Sequence, residues 1–401
     1  MNLLHQKRIL LGITGGIAAY KSAELVRRLR EHGAEVRVVM TKGACEFITP
    51  LTMQALSGKP VCTELMDPQS EAAIGHIELA RWGDVILVAP ASANFMARLA
   101  HGMADDLLST LCLAADVPLL IAPAMNRQMW LNPSTQDNMA LLQRRNITLL
   151  GPADGQQACG ESGPGRMLEP AELMQGVSDI FQTDLLAGTH VLITAGPTRE
   201  AIDPVRYISN RSSGRMGYAI TRAAAEAGAG VTLVSGPVLE TPPDSVQCIQ
   251  VTTAAQMHEA VMEAVKSTDI FVAAAAVADY RCVTVAPQKL KKNAASISLT
   301  LEKTADILAE VASLPNSPFT VGFAAETENL EENARVKLKT KGLDMIAANN
   351  VGNGLGFESG ENALELYWET GGLSLEQAPK EKLARQLIHV IAKKFHEKHS
   401  N

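Results

Sequence analysis

Short apolar runs that end in glycine or small polar residues alternate with stretches whose apolar positions recur at helical spacing, and this alternation predicts most of the elements. An apolar run from Arg8 to Thr14 stops at Gly15-Gly16, and apolar residues then recur every three or four positions from Ile17 to Glu31 until Gly33 ends the helix. Val36 to Met40, Asp84 to Ala89 and Pro118 to Ala122 predict further strands, each followed by enough chain for a helical crossover. Such a series is the grammar of a parallel α/β sheet. The stretch from Ala158 to Met167, rich in glycine and proline, reads as a mobile loop.

A helix predicted from Glu172 to Gln182 is followed by Thr183 to Gly188, where we place a boundary between two domains, residues 1–184 and 188–401. Strands predicted over Thr189 to Thr194, Val231 to Ser235, Ile270 to Ala275, Phe319 to Ala324 and Asp344 to Ala348, with a helix over Arg215 to Ala227, repeat the alternation in the second half. A hairpin over Ala363 to Trp368 and Leu373 to Leu375 and a helix over Lys380 to Lys394 close the chain. The predicted fold class is α/β, with two doubly wound, mostly parallel sheets.

The length of 401 residues accommodates two such domains, and 46% hydrophobic against 20% charged residues gives each enough apolar surface for a core. A net charge of -7 argues against a general nucleic-acid binder but leaves room for local lysine clusters that grip a small anion. The apolar run from Ile270 to Ala278 is too short for a membrane span, and the first residues lack the apolar segment of a secretion signal. The 6 cysteines form no CxxC pair, so neither zinc nor a disulfide framework is expected, and a cytoplasmic location fits.

Candidate chemistry clusters where strands end. Thr14-Gly15-Gly16 sits at a strand-to-helix turn that can hold a phosphate, though it lacks the third glycine of a dinucleotide fingerprint and a plain turn reads equally well. Thr41 and Ser92 end the next two strands at the same carboxyl edge, where open α/β sheets bind ligands. His76 opens a helix and can serve as a base, or as a capping or surface histidine. Asn126 can fix a carboxylate or cap a helix, and Cys159, in a glycine-rich stretch, can donate a proton or attack. In the second half, Asn210 precedes the small-residue turn Ser212-Ser213-Gly214, and Asp279 ends an apolar strand as a metal-linked carboxylate or a helix cap. Lys289, Lys291 and Lys292 form one basic cluster and Lys337, Lys339 and Lys341 another, with Lys337 and Lys341 one helical turn apart; either cluster alone reads as solvated surface, while the two together with Asp279 raise the case for a magnesium-triphosphate site above the ordinary expectation.

Several motifs in series then place the chain beside a known family. Gly15 to Lys21 (GGIAAYK), Gly75-His76-Ile77-Glu78, Pro123-Ala124-Met125-Asn126, Ala158-Cys159-Gly160, Ile193 to Glu200 (ITAGPTRE), Ala276 to Tyr280 (AVADY) and Gly322 to Thr327 (GFAAET) resemble, in this order and over essentially the whole chain, the bacterial fused phosphopantothenoylcysteine decarboxylases and phosphopantothenate-cysteine ligases of coenzyme A biosynthesis. That resemblance implies a flavodoxin-like flavoprotein domain followed by a Rossmann-like ligase domain. It implies FMN in the first half, with oxidation of the substrate thiol to a thioaldehyde that loses CO2. His76 would be the base, Asn126 would recognise the substrate carboxylate, and Cys159 would donate a proton during reduction of the enethiol. In the second half the resemblance implies joining of 4'-phosphopantothenate to L-cysteine through an acyl-cytidylate made from CTP with Mg2+. It places CTP against Ala273, Ala274, Ala275, Asp279, Asp306, Phe323, Lys337 and Lys341, the acyl-cytidylate on Asn210, and Lys289 on the triphosphate. It further implies a homo-oligomer, a dodecamer with trimeric decarboxylase and dimeric ligase contacts. Thr14 stands where a serine is common, and Thr304-Ala305-Asp306-Ile307 replaces the usual Asn-Pro-Asp-Ile.

Overall fold

The computed structural model describes residues 3–65, 75–157, 160–291, 297–326, 329–350 and 361–399. The chain forms two compact units, Asn2–Gln182 and Thr183–Asn401.

In the first unit, β1 (Arg8–Ile13), β2 (Glu35–Met40), β3 (Val85–Ala91), β4 (Leu119–Pro123) and β5 (Thr148–Leu149) make one sheet. Its order is β2-β1-β3-β4-β5, all parallel, which is the flavodoxin-like winding with its reversal point between β1 and β3. Alternation along β1 sends Ile9, Leu11 and Ile13 to one face, against Leu25 and Leu29 of the helix Ala19–Glu31, and Leu10 to the other, against Phe95 and Leu111. Both faces are therefore covered, as the nearly continuous apolar runs require.

One expectation needs correction. Ala153–Gln156 (β6) and Ser162–Arg166 (β7) pair as an antiparallel hairpin where the sequence reads as a loop. Gly163 and Gly165 sit at φ 141° and 134°, and a Cβ on Gly165 would lie 2.4 Å from the Met125 carbonyl oxygen. The glycines that suggest a loop are thus the ones that let a strand pack flat on the segment after β4.

In the second unit the main sheet comprises β8 (His190–Ala195), β11 (Gly230–Ser235), β12 (Gln247–Gln250), β13 (Ile270–Ala273), β16 (Phe319–Glu326), β17 (Met345–Asn350), β18 (Glu361–Trp368) and β19 (Gly371–Pro379). The short pairs β9 (Arg199–Ala201) with β10 (Tyr207–Ser209), and β14 (Tyr280–Cys282) with β15 (Leu301–Lys303), are antiparallel. The order β12-β11-β8-β13-β16-β17-β18-β19 is parallel through β17. Numbered within this sheet alone, its parallel part runs 3-2-1-4-5-6, the Rossmann order, with its reversal between β8 and β13. Strands β18 and β19 form the expected terminal hairpin.

Strand β12 and the helix Ala254–Ala264 escape the apolar pattern because β12, Gln-Cys-Ile-Gln, is a short edge strand. The helix is set by its start, where Thr253 and Gln256 form a capping box. Among the described residues no helix is long and apolar enough to cross a membrane.

Candidate active sites

Each unit has a cavity at the carboxyl edge of its own sheet. In the first, a cavity of about 710 Å³ is lined by Thr14, Gly15, Thr41, Ser92, Asn94, Arg98 and Met129 among others. Local geometry shapes it. The buried Thr14 hydroxyl donates to the Pro90 carbonyl at 2.8 Å and accepts the Ser92 N–H at 2.9 Å, tying the end of β1 to the end of β3. Ser92 Oγ then caps the helix Ala93–Ala100 by accepting the Phe95 N–H at 3.3 Å. Thr41 accepts the Ala44 N–H and begins the next turn. Gly15 is required because a Cβ there would sit 2.9 Å from the Gly43 backbone, whereas Gly16 faces open space and is not part of the cavity wall.

Arg98 brings a positive charge to this wall but is shared between Asp105 and Asp106, and the hydrogen bond it donates to Asp105 raises its affinity for the proton further. Sequence reasoning missed Arg98 and Met129; neither falls at a strand end, where the motifs direct attention.

Asn126 caps the helix Arg127–Leu131 through Oδ1, which accepts the Gln128 N–H at 2.8 Å, and its Nδ2 donates to Glu161 Oε2 at 2.6 Å. The capping role is thus filled, and the carboxylate that the amide holds here is the protein's own. Gln157 reinforces the junction, accepting the Arg127 N–H at 2.9 Å and donating to the Pro164 carbonyl at 3.2 Å. The β6–β7 hairpin is thus fastened to the segment that carries Asn126. Cys159 belongs to the connection between these strands and lies outside the described residues. His76 is the first residue of the helix His76–Trp82, and its side chain lies outside the description.

The second cavity, of about 590 Å³, is lined by Ala273, Ala275, Asp279, Asp306, Phe323, Lys337 and Lys341, together with Thr194, Thr304 and others. Ala274 is absent from this wall and packs against the main core, as alternation along an extended segment dictates. Lys337 and Lys341 lie on one face of the helix Leu330–Lys341 and reach the same cavity. Lys341 Nζ pairs with Asp306 Oδ2 at 2.7 Å, while Asp306 Oδ1 caps the helix Ile307–Ala312 by accepting the Ala309 N–H at 3.1 Å.

Thr304 fastens the turn before Asp306: its hydroxyl donates to the Ala278 carbonyl at 2.7 Å and its N–H to the Asp279 carbonyl at 3.0 Å. Asp279 does not end the apolar strand, since β13 stops at Ala273; it lies in the connection just before β14 and caps no helix. Beside the cavity, Asn210 Nδ2 donates to the Ala276 and Val277 carbonyls, each at 3.1 Å, and buried Thr198 accepts the Ala278 N–H at 2.9 Å. Asn210 and Lys289 are not among the residues lining the cavity. Among the described residues, no group of three or more His, Cys, Asp or Glu is arranged to hold a metal.

Residues 2–182 match the flavoprotein family, and residues 186–395 match the family described as the DNA/pantothenate metabolism flavoprotein C-terminal domain. The chain is 57% identical over 395 residues to the coenzyme A biosynthesis bifunctional protein CoaBC of Vibrio cholerae, covering 98% of this chain and 99% of that one. The chain belongs to the CoaBC family. CoaBC of Escherichia coli K12 is 51% identical over 398 residues, covering 98% of each chain. Among solved structures, the C-terminal domain of a CoaBC protein is 39% identical, covers 54% of this chain and 100% of that chain, and gives a TM-score of 0.47.

Proposed function

We propose that the chain carries two activities in coenzyme A biosynthesis: residues 188–401 join 4'-phosphopantothenate to L-cysteine at the expense of CTP, and residues 1–184 decarboxylate the 4'-phosphopantothenoylcysteine so formed to 4'-phosphopantetheine. The observation that carries this reading is a separate ligand-sized cavity at the carboxyl edge of each sheet, one walled by hydroxyl groups and a glycine turn, the other by lysines and carboxylates.

FMN fits the first cavity. Its volume suits a flavin, Gly15 leaves the backbone accessible beside Gly43, and Thr41 and Ser92 lie at the edge where a phosphate is held. When bound, FMN would supply a two-electron oxidant for the substrate thiol, so that the resulting thioaldehyde can lose CO2, and in its reduced form would return those two electrons to the enethiol. The chain's own residues do the rest. Thr14 keeps the ends of β1 and β3 in register beneath the ligand. Asn126 orients the substrate carboxylate, His76 takes the proton, and Cys159 returns one to the enethiol carbon.

In the second cavity Lys337 and Lys341 attract the triphosphate. Asp279 is the carboxylate that would hold Mg2+ beside the nucleotide phosphates, an ion that usually takes only one or two carboxylates from the protein. Lys289 neutralises charge that develops on the triphosphate, and Asn210 retains the acyl-cytidylate until the cysteine amine attacks. The resemblance further supports a cytoplasmic homo-oligomer, dodecameric through trimeric and dimeric contacts.

The test is a spectrum and two half-assays. The purified chain should be yellow, with flavin absorbance that denaturation releases as FMN. It should also form pyrophosphate from CTP only when 4'-phosphopantothenate is present. A colourless protein that takes up no added FMN would remove the first assignment, and pyrophosphate formation supported by ATP but not CTP would remove the second.

A further inference from the structure

Asp203 is buried, 2% exposed, and its carboxylate binds three backbone N–H groups. Oδ1 accepts from Val205 and Arg206, both at 2.8 Å, closing a turn before β10. Oδ2 accepts from Leu290 at 3.1 Å, 87 residues away. The Arg206 guanidinium, 3.7 Å from Asp203 Oδ2, donates from Nη2 to the Leu290 carbonyl at 2.8 Å. The Ala286 N–H donates to the Ile202 carbonyl at 3.0 Å. Leu290 is therefore gripped through both its N–H and its C=O, and the segment from 286 to 290 is fastened to the turn 202–206. Burial works to raise the Asp203 pKa, yet the three N–H bonds and Arg206 together leave it below the usual aspartate value. The group therefore stays ionised at neutral pH.

From this geometry we infer that Asp203 is a positioning residue for the ligase reaction: it fixes Leu290 and through it sets where the preceding residue, Lys289, presents its ammonium to the triphosphate. The inference rests on the role proposed for Lys289. A long lysine side chain has many rotamers, so the rate it delivers depends on how tightly its backbone is placed. Asp203 touches neither nucleotide nor substrate in this scheme; its effect runs through the backbone of the residue after Lys289.

Asp203→Asn separates this role from the turn. An asparagine Oδ1 can still accept from Val205 and Arg206, but its Nδ2 would face the Leu290 N–H, donor against donor. We expect the rate of pyrophosphate formation without cysteine to fall about tenfold or more, and amide exchange at Leu290 to quicken while Val205 and Arg206 stay protected. Placed in a Lys289→Gln background, the same substitution should cost less than about twofold, because the group it positions has gone. Equal losses in both backgrounds, or no loss in the native one, would overturn the inference while leaving the Lys289 role standing. If Lys289→Gln alone leaves pyrophosphate formation unchanged, the Lys289 role fails and the inference falls with it. Should Asp203→Asn lose the ligase unit's thermal transition, Asp203→Ser replaces it: the hydroxyl retains a turn acceptor without the second oxygen, and the same outcomes decide.

Discussion

Glu161 Oε2 lies 2.6 Å from Asn126 Nδ2 and accepts its hydrogen bond. The amide proposed to hold the substrate carboxylate thus already holds a carboxylate of the protein, from the connection that also carries Cys159. A substrate must displace a like-charged group to reach Asn126. We expect Glu161→Gln to lower KM for 4'-phosphopantothenoylcysteine by up to about fivefold, since an exposed charged contact of this kind is worth roughly 1 kcal/mol or less. Asn126→Asp should raise KM and slow CO2 release at least tenfold, a loss in the range of one charged hydrogen bond. Steady-state CO2 release at varied substrate measures both, and an increased KM in Glu161→Gln would count against the competition.

Cys159→Ser should still release CO2 but accumulate the unreduced enethiol product, because the thiol is assigned to the reductive step alone. Product analysis by mass spectrometry distinguishes the two fates; a normal yield of 4'-phosphopantetheine at an unchanged rate would contradict the assignment. Cys112 is no substitute donor, since burial, and after it the charge of Asp106, push its thiol up to about 12.

In the first unit, Lys21 is buried and its Nζ donates to Glu169 Oε1 at 2.7 Å and to the Met167 carbonyl at 3.1 Å, which joins the helix Ala19–Glu31 to the segment after β7. The bond from Lys21 holds the Glu169 carboxyl below its ordinary pKa. A carboxylate depressed by folding contributes stability that is present above its unfolded pKa and is lost as pH falls through the folded one. The unit's Tm should therefore drop as the solution is acidified below about pH 4.5. Glu169→Gln should remove part of that dependence and cost at most about 1 kcal/mol at pH 7, because Glu169 is half exposed. Calorimetry between pH 3 and 7 checks this; identical pH profiles for the two proteins would contradict it.

Asn210→Asp should stall the ligase after nucleotide transfer, so that cytidylate adduct and pyrophosphate form while cysteine is hardly incorporated. Both amide hydrogens of Asn210 are directed at the Ala276 and Val277 carbonyl oxygens, and a carboxylate there would repel them. Turning these two donor contacts into repulsions costs on the order of 1–3 kcal/mol, about fivefold to a hundredfold in the rate of amide formation. Quench-flow with radiolabelled CTP, with and without cysteine, separates the steps. Loss of adduct formation equal to that of Lys289→Gln would contradict the division of roles.

The alternation of apolar runs and helical spacing made both sheets legible, because each parallel strand is covered on two faces and so carries its own apolar signal. The β6–β7 hairpin was not legible, since Gly155, Gly163 and Gly165 remove the side chains that mark a strand, and the need for Gly163 and Gly165 is set by Arg127 and Met125 in the segment after β4. The lysine and carboxylate cavity was legible in part: the one-turn spacing of Lys337 and Lys341 puts them on one face, while Asp306 came from the family resemblance. Thr194, Thr198 and Asp203 were not, because each works on a backbone group distant in sequence and no spacing rule points to it.

One chain builds the cysteine amide and then decarboxylates it. The direct measurement is to incubate the purified full-length protein with 4'-phosphopantothenate, L-cysteine, CTP and Mg2+, with no other enzyme, and to follow pyrophosphate, CO2 and pantetheine phosphate together. We expect all three in equal molar amounts, with 4'-phosphopantothenoylcysteine appearing in place of CO2 and pantetheine phosphate when His76 is substituted. Pyrophosphate without CO2 from the unaltered protein, or neither product, would contradict the account.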